Sequence, residues 1–432
     1  MNYMRSATNV SPGFIRPLAT TESFFTLGGG MYVGYGVVAD GPVDLEALRA
    51  AAARLSAAYP GLRARITVED PMTGAFVAND GAAPIAVSSS IGEPTGLAPL
   101  KELSIAQNRA IAEIHVVTGS GTEQAVYLLV HHALADGHHA LALLQALWTS
   151  YTAIVTGGDG VLDERSQFPI ALEDFLAERG FPTELPIEAA ATSTVDPADA
   201  PSATAATGTD AAPDSGMPAL HRAQLSATET AALIAYGHRA GRTVNQLVSA
   251  AFIAASATVR GLGASRILYG YPVDLRRRLG EPAAGFTDIT NALGMAFFQA
   301  DSDEASLDEL AAQVGAGLAR DLDAGTVQRP MSMAFGAEIP EDCAVAVITN
   351  WGPVPHLPTP DGLSLTEFLP AFHLDVPAAP GGADWSALAA KMTFAIVSSF
   401  DGRLNVDLSG GAESAELATE LLRNLRAFAL TD

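Results

Sequence analysis

Within nine residues the chain gathers five side chains able to carry a proton or hold a metal: His131, His132, Asp136, His138 and His139. The densest part is His131-His132-Ala133-Leu134-Ala135-Asp136-Gly137. Imidazole exchanges protons near neutral pH, so a general acid or base is the first chemistry to test here. Neighbouring residues of an extended segment point to opposite sides. His131 and His132 therefore cannot share a job: one faces a cavity and the other packs inward. Asp136 lies four residues beyond His132. It either orients an imidazole or binds an arginine and pins the loop. Gly137 permits a tight turn or a close approach of another group to the backbone. A zinc site is the competing reading. It is disfavoured because no His-x-x-x-His pair is present on one helical face and no second Cys/His cluster supplies further ligands.

Such a run needs rigid supports. Residues 125–130 read as an apolar strand that ends at the two histidines, and a helix opens at Gly137 and runs to about Ile154. Reactive groups held between two regular elements are better fixed than groups on a free loop. Upstream, residues 32–39 read as a strand. Residues 44–58 read as a helix with Leu45, Leu48, Ala52 and Leu55 on one face, stopped by Pro60-Gly61. Residues 62–68 and 75–78 form a hairpin, and 111–117 pairs with 125–131. Further on, Ser226 and Glu229 make a capping box for a helix to Ala240. Residues 243–259 form a very apolar helix. Strands are expected at 267–273, 293–299 and 344–349, helices at 307–322 and 415–428, and a hairpin around Asp401-Gly402. Residues 186–218 are mostly Ala, Thr, Ser, Pro, Asp and Gly, the composition of a flexible acidic linker. The expected division is therefore a subdomain at 1–185, the linker at 186–218 and a second subdomain at 219–432. Both halves mix antiparallel strands with long helices, an α+β pattern.

Composition removes several function classes. A formal charge of -24 over 432 residues argues against nonspecific nucleic-acid binding and against a polybasic membrane patch. The apolar run at 247–259 is too short to span a bilayer. No secretory leader is visible at the N-terminus, and the cytoplasm is the simplest compartment. Cys343, the single cysteine, reads as core. There is no Gly-x-Ser-x-Gly elbow, and Gly28-Gly29-Gly30 lacks the Lys-Ser/Thr of a phosphate loop. Asp274-Leu275-Arg276-Arg277-Arg278 reads either as a solvated turn or as a binder of phosphate or of a carrier protein.

The His-His-x-x-x-Asp-Gly run resembles the signature of the acyltransferase superfamily built on the chloramphenicol-acetyltransferase fold. That superfamily includes peptide-synthetase condensation domains, plant BAHD acyltransferases and polyketide-associated acyltransferases. Other segments are similar in the same order. They are Arg16-Pro17-Leu18-Ala19-Thr20-Thr21-Glu22, Tyr59-Pro60-Gly61-Leu62-Arg63-Ala64-Arg65, Pro272-Val273-Asp274-Leu275-Arg276, Asn291-Ala292-Leu293-Gly294 and Thr349-Asn350-Trp351-Gly352. Tyr59 departs from the His that condensation domains tend to carry there.

The resemblance implies two similar subdomains, each a mostly antiparallel sheet flanked by helices, with a tunnel at their interface. It implies acyl transfer from an acyl-CoA or acyl-phosphopantetheine thioester to a hydroxyl, less readily an amine, with no resident cofactor or metal. His132 would be the general base and His131 largely structural. Asp136 would be salt-bridged to an arginine, and Arg63 is the expected partner. Gly137 would let substrates approach the loop. Asn350 is the candidate donor to the oxyanion. Implied partners are an acyl carrier protein or polyketide synthase and a small-molecule or lipid alcohol, with the chain acting as a monomer. Condensation, cyclisation or thioester hydrolysis on the same scaffold, or a non-catalytic carrier-binding module, are the alternatives.

Overall fold

The computed structural model describes residues 13–70, 73–79, 85–95, 105–182, 221–329, 342–374, 392–409 and 413–429, with residues 100, 103 and 340. The linker expected at 186–218 lies outside the described residues.

Fourteen strands are named among them. In the first half they are β1 Phe14–Pro17, β2 Met31–Asp40, β3 Ala64–Asp70, β4 Thr73–Ala78, β5 Ala86–Ile91, β6 Ala112–Thr118 and β7 Glu123–His131. The second half adds β8 His221–Gln224, β9 Ile267–Asp274, β10 Leu293–Phe298, β11 Ala344–Pro353, β12 Ser364–Leu374, β13 Met392–Phe400 and β14 Arg403–Ser409. The helices are α1 Thr20–Ser23, α2 Leu45–Ala58, α3 Gly137–Val155, α4 Leu172–Glu178, α5 Ala227–Ala240, α6 Val244–Arg260, α7 Leu307–Asp323 and α8 Ser414–Ala429.

Local chemistry sets most helix starts. Asp44 caps α2 by accepting from the N–H groups of Glu46 and Ala47. Ser226, Thr243 and Ser306 close capping boxes with Glu229, Gln246 and Glu309 at the starts of α5, α6 and α7. Each box satisfies backbone donors that the first turn leaves open. Helices α5 and α6 end on Gly241 and Gly261, with φ of 64° and 62°; this left-handed conformation costs glycine little.

The strands form a five-stranded sheet ordered β12-β2-β7-β6-β5, a six-stranded sheet ordered β10-β9-β11-β13-β14-β8, and a small sheet β1-β4-β3. Pairing is antiparallel except for β5 with β6 and β11 with β9 and β13. One large core lies between the five-stranded sheet and helices α2 and α3, with Leu48, Leu55, Leu144 and Trp148 among its members. A second lies between the six-stranded sheet and α6, α7 and α8. The α+β architecture of two sheet-and-helix units is as the sequence implies.

The division by sequence does not hold for every strand. β12 belongs to the second half of the chain but pairs with β2 along its length, from Ser364 opposite Asp40 to Leu374 opposite Met31. Trp351, Leu357, Leu363 and Phe368 accordingly join the core of the first half. A boundary at residue 219 therefore assigns to the second unit a strand that completes the first sheet. The sequence hid β12 because Pro370 interrupts its pattern. An edge strand tolerates proline because one of its sides needs no donor.

Candidate active site

β7 carries the histidine run into the seam between the two units. The last ladder position pairs His131 with Tyr32 of β2. The His131 N–H donates to the Ile111 carbonyl at 2.8 Å and the His132 N–H to the Met31 carbonyl at 2.7 Å. Both backbones are fixed, and the alternation of an extended chain sends the two rings to different surroundings.

His131 is fully buried. Its Nδ1 accepts from the Ala133 N–H at 3.1 Å, so its proton is on Nε2, 3.1 Å from the Gln107 amide oxygen. Burial, with the neighbouring His132, pushes its pKa down to about 3. His131 is a neutral brace with both nitrogens engaged.

His132 is only partly buried. Its ring stacks on Phe25, with centroids 4.0 Å apart and planes within 15°. Nδ1 is buried without a hydrogen-bond partner, while the residue as a whole keeps some access to solvent. The His132 carbonyl accepts from Asn291 Nδ2 at 2.5 Å. Burial lowers the pKa, while its own carbonyl and the charge of Asp136 work in the opposite direction. The net shift keeps the ring neutral at physiological pH.

Asp136 ends the loop as the N-cap of α3. One carboxylate oxygen accepts from the His139 N–H at 3.0 Å. The other accepts from Arg276 at 2.8 Å and from the Ala292 N–H at 2.8 Å. Its own N–H donates to the Thr290 carbonyl at 3.1 Å. Burial raises the Asp136 pKa, but Arg276 and these donors overcome that and hold it below the usual range. Of the two roles open to Asp136, the geometry selects arginine binding and pinning of the loop.

The expected arginine is the wrong one. Arg63 is exposed at the end of a short turn, on the solvent side of the first unit, while Asp136 faces the second unit. Arg276 crosses the seam instead. It is 1% exposed and also reaches Asp274 at 3.1 Å and the Phe286 carbonyl at 3.1 Å. The run 274–278 is therefore neither wholly a solvated turn nor wholly a ligand patch: Arg276 turns inward, and Arg277 and Arg278 stay exposed.

Two further expected site residues have close neighbours. A Cβ on Gly137 would lie 2.7 Å from Trp351 Cδ1, so the Trp351 indole makes a close approach at Gly137. Asn350 donates to Asn245 at 3.0 Å and accepts from the Gly352 N–H at 2.9 Å. Its amide is committed within the second unit, and this geometry gives no support to an oxyanion role. His138 stacks on Phe286, with centroids 5.6 Å apart. His139 is buried with Nδ1 3.1 Å from the Ile289 carbonyl, and burial pushes its pKa down to about 4. Among the described residues no group of three His, Cys, Asp or Glu is arranged to hold a metal ion. No helix among them is long and apolar enough to cross a membrane.

Residues 214–409 match the family described as phthiocerol/phthiodiolone dimycocerosyl transferase C-terminus. A phthiocerol/phthiodiolone dimycocerosyl transferase of Mycobacterium sp. (strain JLS) is 30% identical over 82% of this chain and 86% of its own length. The chain belongs to this transferase family. The relative from Mycobacterium leprae is 28% identical over 89% of this chain and 90% of its own. Among solved structures, polyketide synthase associated protein 5 from Mycobacterium tuberculosis superimposes with a TM-score of 0.75 at 24% identity, covering 97% of this chain and 99% of that one. The first condensation domain of the calcium-dependent antibiotic synthetase gives 0.61 at 15% identity, covering 98% of both. The fold is thus the two-unit fold of acyltransferases and condensation domains, and the chain is an acyltransferase.

Within this dimycocerosyl transferase relative, sequence reasoning missed three contributors to the site. Arg276 was inside a recognised segment, and a lone inward arginine beside an aspartate was the available signal. Asn291 stood at the head of another recognised segment. Phe25 carried no signal, because an aromatic after a short helical turn reads as ordinary core. The Arg16–Glu22 segment is also part of the seam. Arg16 grips buried Glu22 with two 2.7 Å bonds, and Glu22 accepts from Thr290 Oγ1 of the second unit at 2.6 Å.

Proposed function

We propose that the chain transfers an acyl group from a thioester, carried by coenzyme A or by the phosphopantetheine of a carrier protein, to a hydroxyl acceptor, with His132 as general base. The observation that carries this reading is the inequality of the imidazoles in the run. His131 and His139 are buried and bound. His132, unlike either, combines a neutral ring and a backbone held at both ends with partial exposure at the seam.

In this reading Nε2 of His132 accepts the proton of the acceptor hydroxyl as its oxygen attacks the thioester carbonyl. The tetrahedral adduct collapses with cleavage of the C–S bond, and the imidazolium returns its proton to the leaving thiolate. A thioester is already activated, so no covalent nucleophile on the protein is required, and general-base catalysis contributes roughly 10²–10⁴-fold. The relatives are named as dimycocerosyl transferases acting on phthiocerol or phthiodiolone, which supports a lipid acyl group and a lipid alcohol. A structural neighbour named as polyketide synthase associated supports a carrier-bound donor.

Acyl transfer followed by intact mass, from a panel of carrier-bound and CoA thioesters to alcohols and amines, tests the reading. The wild-type chain is expected to esterify alcohols, and His132→Ala is expected to lose about 10²–10⁴-fold in rate while remaining folded. Near-normal transfer by His132→Ala would overturn the general-base role. Products only with amines would overturn the hydroxyl acceptor.

A further inference from the structure

A general base at Nε2 works only if that nitrogen is the unprotonated one, so the proton of the neutral ring must sit on Nδ1. Something must hold it there. The groups around His132 offer one side chain for the task. Asn291 is 3% exposed, and the residues on either side of it are locked. The Thr290 carbonyl accepts from the Asp136 N–H at 3.1 Å, and the Ala292 N–H donates to Asp136 at 2.8 Å. The Asn291 amide is therefore delivered to the His132 loop with little freedom.

Its orientation follows from chemistry. Nδ2 lies 2.5 Å from the His132 carbonyl. The reversed amide would press one carbonyl oxygen against another, so Oδ1 is the end turned elsewhere. Asn291 Oδ1 is buried without a partner, and so is His132 Nδ1. A buried acceptor and a buried donor, each unmatched and on side chains already joined through a neighbouring atom, are costly apart and favourable together. Two backbone carbonyls also lie near the ring, those of His132 and Ala135, and the His132 carbonyl takes the same amide's N–H. The nearest charge, Asp136, is spent on Arg276 and two backbone donors.

We infer that Asn291 is a positioning residue for the reaction: its amide clasps His132 at two points, Nδ2 donating to the carbonyl and Oδ1 accepting from Nδ1–H, and so fixes the tautomer that leaves Nε2 free. This rests on the general-base reading of His132. It also makes the second unit supply the group that arms the histidine of the first.

The test uses the full chain, with ¹⁵N-labelled histidine and the transfer assay side by side. The wild type is expected to show His132 as the Nδ1–H tautomer at neutral pH. Asn291→Ala is expected to lose about 10–100-fold in kcat with KM changed less than about twofold, because a small misplacement of a catalytic group costs on the order of 10²-fold. Its His132 is expected to become a mixture of tautomers. Asn291→Asp keeps an acceptor for Nδ1–H but cannot donate to the carbonyl. It is expected to keep the tautomer and to move the acid limb of kcat/KM to higher pH by about one pH unit, since a nearby carboxylate favours imidazolium. A wild-type His132 protonated on Nε2 would overturn the inference. So would an Asn291→Ala enzyme with wild-type kcat, or Ala and Asp variants equally slow with an unmoved acid limb, which marks a loop brace only. Should Asn291→Ala fail to fold, the wild-type tautomer and the Asp variant decide. Retained transfer by His132→Ala would instead sink the general-base reading, and the tautomer measurement would still judge the clasp.

Discussion

The loop after β7 and the second-unit segments that meet it divide one task unequally. The loop holds the groups with chemistry: two histidines at the strand end, an aspartate and the start of a helix. The facing segments, 274–276, 286–292 and Trp351, hold almost none, yet they set the geometry. Arg276 neutralises Asp136, Ala292 and Thr290 complete its hydrogen bonds, Asn291 grips the His132 carbonyl and Trp351 covers Gly137. A reactive loop can stay short because its rigidity is supplied from across the seam. In the proposed reading the first unit supplies the reacting group and the second fixes its geometry.

Breaking the charge pair at the seam is the harshest test of that division. Arg276→Ala leaves the Asp136 carboxylate buried and uncompensated and is expected to cost about 3–5 kcal/mol; Arg63→Ala, at an exposed position, is expected to stay within about 0.5 kcal/mol of wild type. Urea midpoints of both variants check this. Equal effects would restore Arg63 as the partner. Transfer is expected to fall with Arg276→Ala even at temperatures where the variant remains folded.

Acid weakens the same region more gradually. His131 and His139 are neutral in the fold, with pKa values down at about 3 and about 4, whereas an unfolded histidine titrates near about 6.5. Between those values the unfolded chain binds more protons, so stability is complete above about pH 6.5 and is lost as pH falls toward 4. The slope reaches about 1.4 kcal/mol per pH unit for each histidine. Thermal midpoints at pH 7, 6 and 5 measure it, and His139→Gln is expected to flatten it. A midpoint that is unchanged from pH 7 to 5 would contradict buried neutral rings. The lowered pKa of His132 predicts that transfer persists below pH 6.5 in any chain that is still folded.

The gentlest test is one methyl group. Gly137→Ala places a Cβ 2.7 Å from Trp351, and the resulting overpacking is expected to cost about 1–3 kcal/mol. Trp351→Phe in the same chain should relieve part of it, a coupling that a double-mutant cycle reads directly. Independent effects would mean that the indole does not seat against the helix start.

Much of this was legible residue by residue. The two histidines at a strand end, the helix opening at Gly137 and the capping boxes at Ser226 and Thr243 depend on local rules that span a few residues, and local rules can be read along a chain. The Asp401-Gly402 hairpin was legible for the same reason: Asp401 and Gly402 both take positive φ, 49° and 72°, as the dipeptide suggests. The partner of Asp136 was not legible. Arg63 and Arg276 are equally good cations, and their distance along the chain says nothing about which one meets a carboxylate 140 residues before Arg276. The membership of β12 in the first sheet was hidden too, because edge pairing is decided by which backbone lies alongside.

The sequence by itself determined the α+β pattern and the inequality of the two adjacent histidines, since each follows from side-chain type and short-range geometry, and its resemblance to a known superfamily implied the reaction class. Only the tertiary structure decided that the ion pair is Asp136–Arg276, that Gly137 accommodates an indole, and that Asn291 stands over the His132 loop. These are contacts between residues distant in the chain, and they are set by how two packed units close on each other.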